Sequence, residues 1–340
     1  MKPSVMLDNI RNQPASLRGV ADHAFHEGLA ALREAAAAIR SAGSVVFTGM
    51  GSSMSAAIPA AYYLEAHGFP ADVVETSEWL HFGRAARRGQ AAVLVSRSGE
   101  TIEITKLFSR LSAAHVPTIG VTNVPGSLLA READHDIYIN SAADRMVAIQ
   151  TYSGTMAVLL LLAEAVLEKP VESSRASLAA ATEALATAIQ EAEAQADDWN
   201  RFLMDAEVVH LLGRGPSLAS VREGALIFNE AARTASTGIS AALFRHGPVE
   251  IVNERFRAIV FASHECTRDI DLALADDLRS MGGKVWVSKA ADVPSAFEPL
   301  VEIADVQVAA CRLAESKGID PGDFRYATLV TTTESGFAKP

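Results

Sequence analysis

The sequence predicts an α/β protein made of two domains, each a doubly wound, mainly parallel sheet flanked by helices. Short β-branched apolar runs alternate with longer helical patterns, which is the grammar of parallel βαβ units. The runs are continuously apolar rather than alternating, as strands covered on both faces are. The grammar also restarts half-way. VVFTGMGSSMSAAIPAAYYL, from Val45, and VVHLLGRGPSLASVREGALIF, from Val208, share the order strand, GxG turn, serine and helix. A duplicated α/β domain is the economical reading.

Taken in order, residues 1–41 read as helical, because ALREAAAAIR is built from strong helix formers. Strands follow at Ser44–Thr48, Ala71–Glu75, Ala91–Ser96, Thr118–Thr122 and, shorter, near Asp136–Ile139. Helices lie between them at Met54–His67, near Ser77–Arg87 and at Ile102–Ala114, with a long one at Gln150–Leu167. Residues 172–203 carry alanine and glutamate runs without a strand signal and predict a connecting helix. Strands at Val208–Leu212, Arg257–Ala262 and Lys284–Ser288 then alternate with helices at Leu218–Ala232, Asp269–Met281 and Val306–Lys317. The implied division is a helical segment 1–30, a domain 31–170, a connecting helix 171–203, a domain 204–334 and a tail 335–340.

A chain of 340 residues can bury two cores. Its formal charge of −11 disfavours nucleic acid, which needs clustered cations to displace counterions. Cys266 and Cys311 stand far apart without CxxC spacing, against a disulfide framework or zinc site and for a reducing compartment. The start, MKPSVMLDNIRNQP, lacks a signal peptide's apolar core. The longest greasy stretch, Met156–Leu167, contains Glu164 and is too short for a bilayer. The expectation is a soluble cytoplasmic protein with no membrane or nucleic-acid partner and no metal.

Two turns carry the chemistry. A GxG turn between strand and helix lets backbone approach a ligand and aims helix N–H groups at an anion. The first such turn brings Gly51, Ser52 and Ser53. The stretch VLVSRSGET ends another strand in Ser96, Arg97, Ser98 and Thr101, again just before a helix. In open α/β sheets ligands gather at strand carboxyl ends near the switch point, so both turns together would surround a phosphate with hydroxyls and helix dipoles. Serines at such places also cap helices. Ser55 and Ala56 stand where a dinucleotide fingerprint would continue towards its third glycine, and no GK[ST] is present, so no nucleotide cofactor is expected.

Glu223 and Glu230 lie seven residues apart and project from nearly one face of their helix. A carboxylate on an apolar helix facing a sheet crevice would have a raised pKa, suited to moving a carbon-bound proton. The same spacing also suits solvated or ion-paired helix glutamates. His246, in Arg245-His246-Gly247-Pro248, sits in a turn that exposes an imidazole able to titrate near neutrality; a loop histidine packed on a neighbour is the plainer alternative.

TGMGSS, VSRSGET, GRGP, EGALIFNE and FRHGPVEIV together resemble the sugar isomerase (SIS) domain family. The likeness is strongest to the tandem-SIS isomerase half of glucosamine-6-phosphate synthase and to SIS-type amino-sugar-phosphate deaminases and isomerases. It runs from MLDNIRNQPASLR to GIDPGDFR. The resemblance implies two SIS domains and phosphate-binding roles for Ser52, Ser53, Ser96, Arg97, Ser98 and Thr101. The family usually has glutamine at Arg97, where a guanidinium adds either a bidentate phosphate contact or a surface charge. The resemblance further makes Glu230 the enolisation base, and Glu223 a group that orients helix or substrate. His246 becomes the ring-opening residue, supplied across the interface of a homodimer. The synthase's N-terminal glutaminase domain has no counterpart, and two family lysines are replaced by Ile227 and, by a looser alignment, Leu329. The expected activity is deamination of glucosamine 6-phosphate to fructose 6-phosphate and ammonia, with no cofactor. The alternatives are a ketose/aldose isomerase of the tagatose or galactosamine type and a non-catalytic sugar-phosphate sensor.

Overall fold

The computed structural model describes residues 4–83, 89–288 and 293–335, in two compact units, each built around its own sheet. The first comprises Ala15–Ala143, Gln150–Leu178 and the tail from Arg325. The second comprises the chain up to Pro14, Asp144–Ile149 and Ala179–Phe324.

Helices α1 (Val5–Phe25) and α2 (Leu29–Ala42) precede the first strand. Then follow β1 (Val45–Gly49), α3 (Ser52–Ala66), β2 (Ala71–Glu75), α4 (Thr76–Phe82), β3 (Ala91–Val95), α5 (Ile102–Ala113), β4 (Thr118–Thr122), α6 (Leu128–Glu132), β5 (His135–Tyr138) and α7 (Gln150–Val166). The strands are all parallel, in the order β2-β1-β3-β4-β5. β1, β3 and β4 are buried along their whole length, which is why they read as unbroken apolar runs. The greasy stretch of α7 is a core helix, buried at nearly every position and packed on α2 and α3. The helix expected near Ser77–Arg87 appears as α4; residues 84–88 lie outside the described residues. Short α6 has no counterpart among the expected elements.

Residues 172–203 form two helices rather than one, α8 (Val171–Ala194) and α9 (Ala196–Leu203), parted at Gln195. The second unit continues with β6 (Val208–Gly213), α10 (Leu218–Glu230), β7 (Ala235–Ser240), α11 (Ala241–Phe244), β8 (Arg257–Phe261), α12 (Arg268–Ser280), β9 (Lys284–Ser288) and α13 (Glu298–Ser316). Its sheet is also wholly parallel, in the order β7-β6-β8-β9, repeating the β2-β1-β3-β4 order of the first. β7 was not expected: ASTGIS is polar and half-exposed at a sheet edge, so it lacks an apolar run. α13 begins at Glu298, eight residues before the predicted Val306.

Candidate active site

β1 and β3 pair with Gly49 level with Val95. Their carboxyl-terminal turns therefore leave the sheet side by side, where the strand order reverses. Gly51, at φ 51°, leads into α3, a left-handed conformation that costs glycine little. Ser52 and Ser53 form the first turn of α3, half-buried, and among the described residues their hydroxyls have no hydrogen-bond partner. Gly51 caps this helix without a side-chain bond. The two hydroxyls are therefore left over by the helix and stand at its N-terminus, where the Ser53 N–H donates to Met50 O and those of Met54 and Ser55 donate to Gly51 O.

In the second turn Ser96 is buried, and its Oγ accepts the Gly99 N–H at 3.1 Å and lies 3.0 Å from Thr101 Oγ1. Ser98 Oγ accepts from Glu100 N at 3.2 Å. Thr101 enters α5 without a side-chain cap bond. Gly99 has φ 66°, and a Cβ there would collide with the Ser127 side chain, so the turn admits only glycine. Arg97 is half-buried, and its Nη2 donates to Leu329 O at 3.0 Å. The tail is fastened further along: Ile102 N donates to Thr331 O at 3.0 Å, and Glu334 pairs with Lys106 and with His81. Those bonds, Lys106 first, hold the Glu334 carboxyl below its ordinary range. Arg97 thus joins the tail to the turn.

Gly51, Ser52, Ser53, Ser96, Arg97, Ser98 and Thr101 are brought to two neighbouring strand ends of one unit. Glu223, Glu230 and His246 belong to the other. Glu223 is fully buried in mid-α10, and Glu230 is half-buried as the helix's last residue. Ile227, at a family lysine position, is a core residue. His246 is exposed in the turn after α11, with Gly247 at φ 121° and Pro248 opening a 3-10 turn. Exposed Leu243 and Ile251 flank it in sequence.

Three carboxylates on α13, buried Glu298 and Glu302 and half-buried Asp305, had no place among the sequence candidates. Burial, then the neighbouring Glu302, pushes Glu298 up to about 7. Burial also raises Glu302, against hydrogen bonds from Ser263, Ser220 and Ser217, and raises Asp305 to about 6. The available signal was the four-residue spacing of Glu298 and Glu302, which sets both on one helix face.

Residues 38–165 match the SIS domain family model. Both hydroxyl-bearing turns, at 49–53 and 96–101, fall inside that span, whereas Glu223, Glu230 and His246 fall beyond it. A glutamine–fructose-6-phosphate aminotransferase (isomerizing) of Pyrobaculum aerophilum is 28% identical over 98% of this chain. The chain spans 58% of that protein's length. Among solved structures, the C-terminal domain of glucosamine-fructose-6-phosphate aminotransferase from Francisella tularensis superposes with a TM-score of 0.81 at 19% identity. That match covers 94% of this chain and 97% of the other. Glucosamine-6-phosphate deaminase from Thermotoga maritima matches with a TM-score of 0.80 at 21% identity, over 96% and 99% of the two chains. These likenesses fix the α/β fold with its parallel, helix-flanked sheets.

Proposed function

We propose that this chain is a phosphosugar-processing enzyme that catalyses aldose–ketose isomerisation of an amino-sugar 6-phosphate, with deamination of glucosamine 6-phosphate as its net reaction. The observation that carries the reading is the pair of Ser52 and Ser53 hydroxyls left without a partner at a strand-order switch point. A phosphate is the ligand whose several acceptor oxygens and charge suit hydroxyls and a helix N-terminus together. The choice of deamination draws on the Thermotoga deaminase, matched over nearly its whole length. In this reading residues 31–170 and 204–334 are two SIS-like halves of a cytoplasmic homodimer that uses no cofactor.

The proposed sequence of events is short. Ser52, Ser53, Ser98 and Thr101 hold the phosphate while Ser96 and Gly99 keep the turn in shape. His246, supplied by the neighbouring subunit, moves the anomeric hydroxyl proton to the ring oxygen and opens the pyranose. Glu230 takes the C2 proton and delivers it to C1, while one proton passes from the amino group to O1, converting the 2-amino aldose into a 1-hydroxy 2-imine. Water adds to the imine and expels ammonia, leaving fructose 6-phosphate. Glu223 orients the helix that carries Glu230. Ile227 and Leu329 cannot replace the family lysines, so no Schiff base to the protein enters the scheme.

The test is ammonia release and ketose formation over a panel of hexosamine and hexose 6-phosphates. Ammonia with fructose 6-phosphate is expected. Ketose without ammonia would make the protein a simple isomerase, and binding without turnover a sensor. Failure to bind any sugar phosphate would end the reading.

A further inference from the structure

The second sheet has a switch point of its own. β6 and β8 are adjacent and their register sets Leu212 beside Val260. The turns beyond them match those of the first unit. Gly215 has φ 54° where Gly51 has φ 51°. Residues 262–267 link β8 to α12 as residues 96–101 link β3 to α5, and each link ends in a threonine, Thr267 and Thr101.

What fills the two places differs. In the first unit the Ser52 and Ser53 hydroxyls have no partner among the described residues. In the second, the hydroxyls converge on a carboxylate from α13. Ser217 Oγ donates to Glu302 Oε2 at 3.2 Å, and Ser263 Oγ donates to the same oxygen; Ser220 Oγ donates instead to the Pro299 carbonyl of α13 at 3.4 Å. Glu302 and Ser263 are each 1% exposed and Ser217 2%. Glu302 Oε1, equally buried, has no hydrogen-bond partner among the described residues. The cations of these turns are engaged as well. Arg214 pairs with the fully buried Asp271, and Arg268 donates to Ser263 O at 2.7 Å. Ser288, at the end of β9, donates to the Glu302 backbone carbonyl at 3.1 Å and fixes α13 in place.

We propose that the switch point of the second sheet is an oxyanion site that the chain occupies from within. The Glu302 carboxylate stands between Ser217 and Ser263 where a phosphate group would sit. With Glu302 present this unit takes no phosphate ester, and the chain offers one phosphate site rather than two. Cutting the side chain back opens the site to inorganic phosphate. The inference rests on the second unit alone and stands whether or not the first unit's ligand is a sugar phosphate.

The experiment compares the thermal midpoint of wild type, Glu302→Gln, Glu302→Ala and Glu302→Gly in inorganic phosphate and in chloride at matched ionic strength. The glutamine keeps the shape and an acceptor for the serines, so its response to phosphate should equal that of wild type. Any phosphate effect at the first unit is common to all four proteins. The alanine and glycine variants should gain a further rise of roughly 5 °C, the size expected when a ligand near saturation binds only the folded state. If a truncated variant does not fold in chloride, folding in phosphate alone is the expected result. Equal responses in all four proteins, or truncated variants unfolded in both salts, would overturn the proposal.

Discussion

Ser52 and Ser53 are the residues on which a phosphate ligand can be tested most cleanly, because nothing described in the protein uses their hydroxyls. Ser52→Ala and Ser53→Ala should each weaken sugar-phosphate binding by roughly 5- to 150-fold, the effect of losing one donor to an anion. Their thermal midpoints should stay at the wild-type value. Ser96→Ala makes the contrast: its oxygen holds the Gly99 N–H in a buried turn, so binding and stability should fall together. Calorimetric titration with a sugar phosphate, alongside thermal unfolding, reads both quantities. Unchanged affinity in Ser52→Ala and Ser53→Ala would remove the phosphate cradle. The turn that carries them was legible in the sequence because glycines and hydroxyl residues cluster where an apolar run stops. The partner of Arg97 was not. It is a backbone carbonyl at Leu329, which carries no side-chain signature and lies far along the chain.

At the scale of elements, apolar strands announced themselves and polar or acidic elements did not. β7 escaped because an edge strand keeps one side for solvent, and ASTGIS shows no run or alternation to read. The first two turns of α13 escaped because EPLVEIAD looks like a charged surface, whereas Glu298, Glu302 and Asp305 are all buried or nearly so. That burial has a consequence for pH. Glu298 is pushed up to about 7 by burial and by Glu302 and Glu265, with Arg268 partly offsetting them. A carboxyl raised in the folded state favours folding while protonated. Its contribution is full below the ordinary carboxylate range and is lost as pH rises towards 7. The thermal midpoint of wild type should therefore fall between about pH 5 and about pH 8. The fall should be smaller in Glu298→Gln, by roughly 2 to 6 °C for one or two kcal/mol in a unit of this size. Glu302 and Asp305 leave a residual slope in the variant, since both are also raised. Identical slopes would show that Glu298 is not held neutral by the fold.

For the molecule as a whole, the repeat of strand, GxG turn and helix seen in the sequence became two sheets that share one order over four strands. The closing of the second switch point by Glu302 could not be foreseen, since its serine partners stand 85 and 39 positions away in the chain. The proposed sharing of sites between subunits has a direct consequence. Glu230→Gln and His246→Asn should each be inactive on ring-closed substrate. Mixing and reassociating them should restore about a quarter of the sites, because half of the dimers are then mixed and carry one intact pair. No recovery on mixing would mean that each chain supplies its own histidine. The central claim is that Glu230 moves a proton at carbon, and deuterium incorporation at C1 or C2 of the sugar in heavy water measures that step alone. The account predicts rapid incorporation with wild type. It predicts a loss of roughly 10²- to 10⁴-fold with Glu230→Gln while sugar phosphate still binds. Incorporation by Glu230→Gln at the wild-type rate would contradict it and assign the proton transfer to another residue.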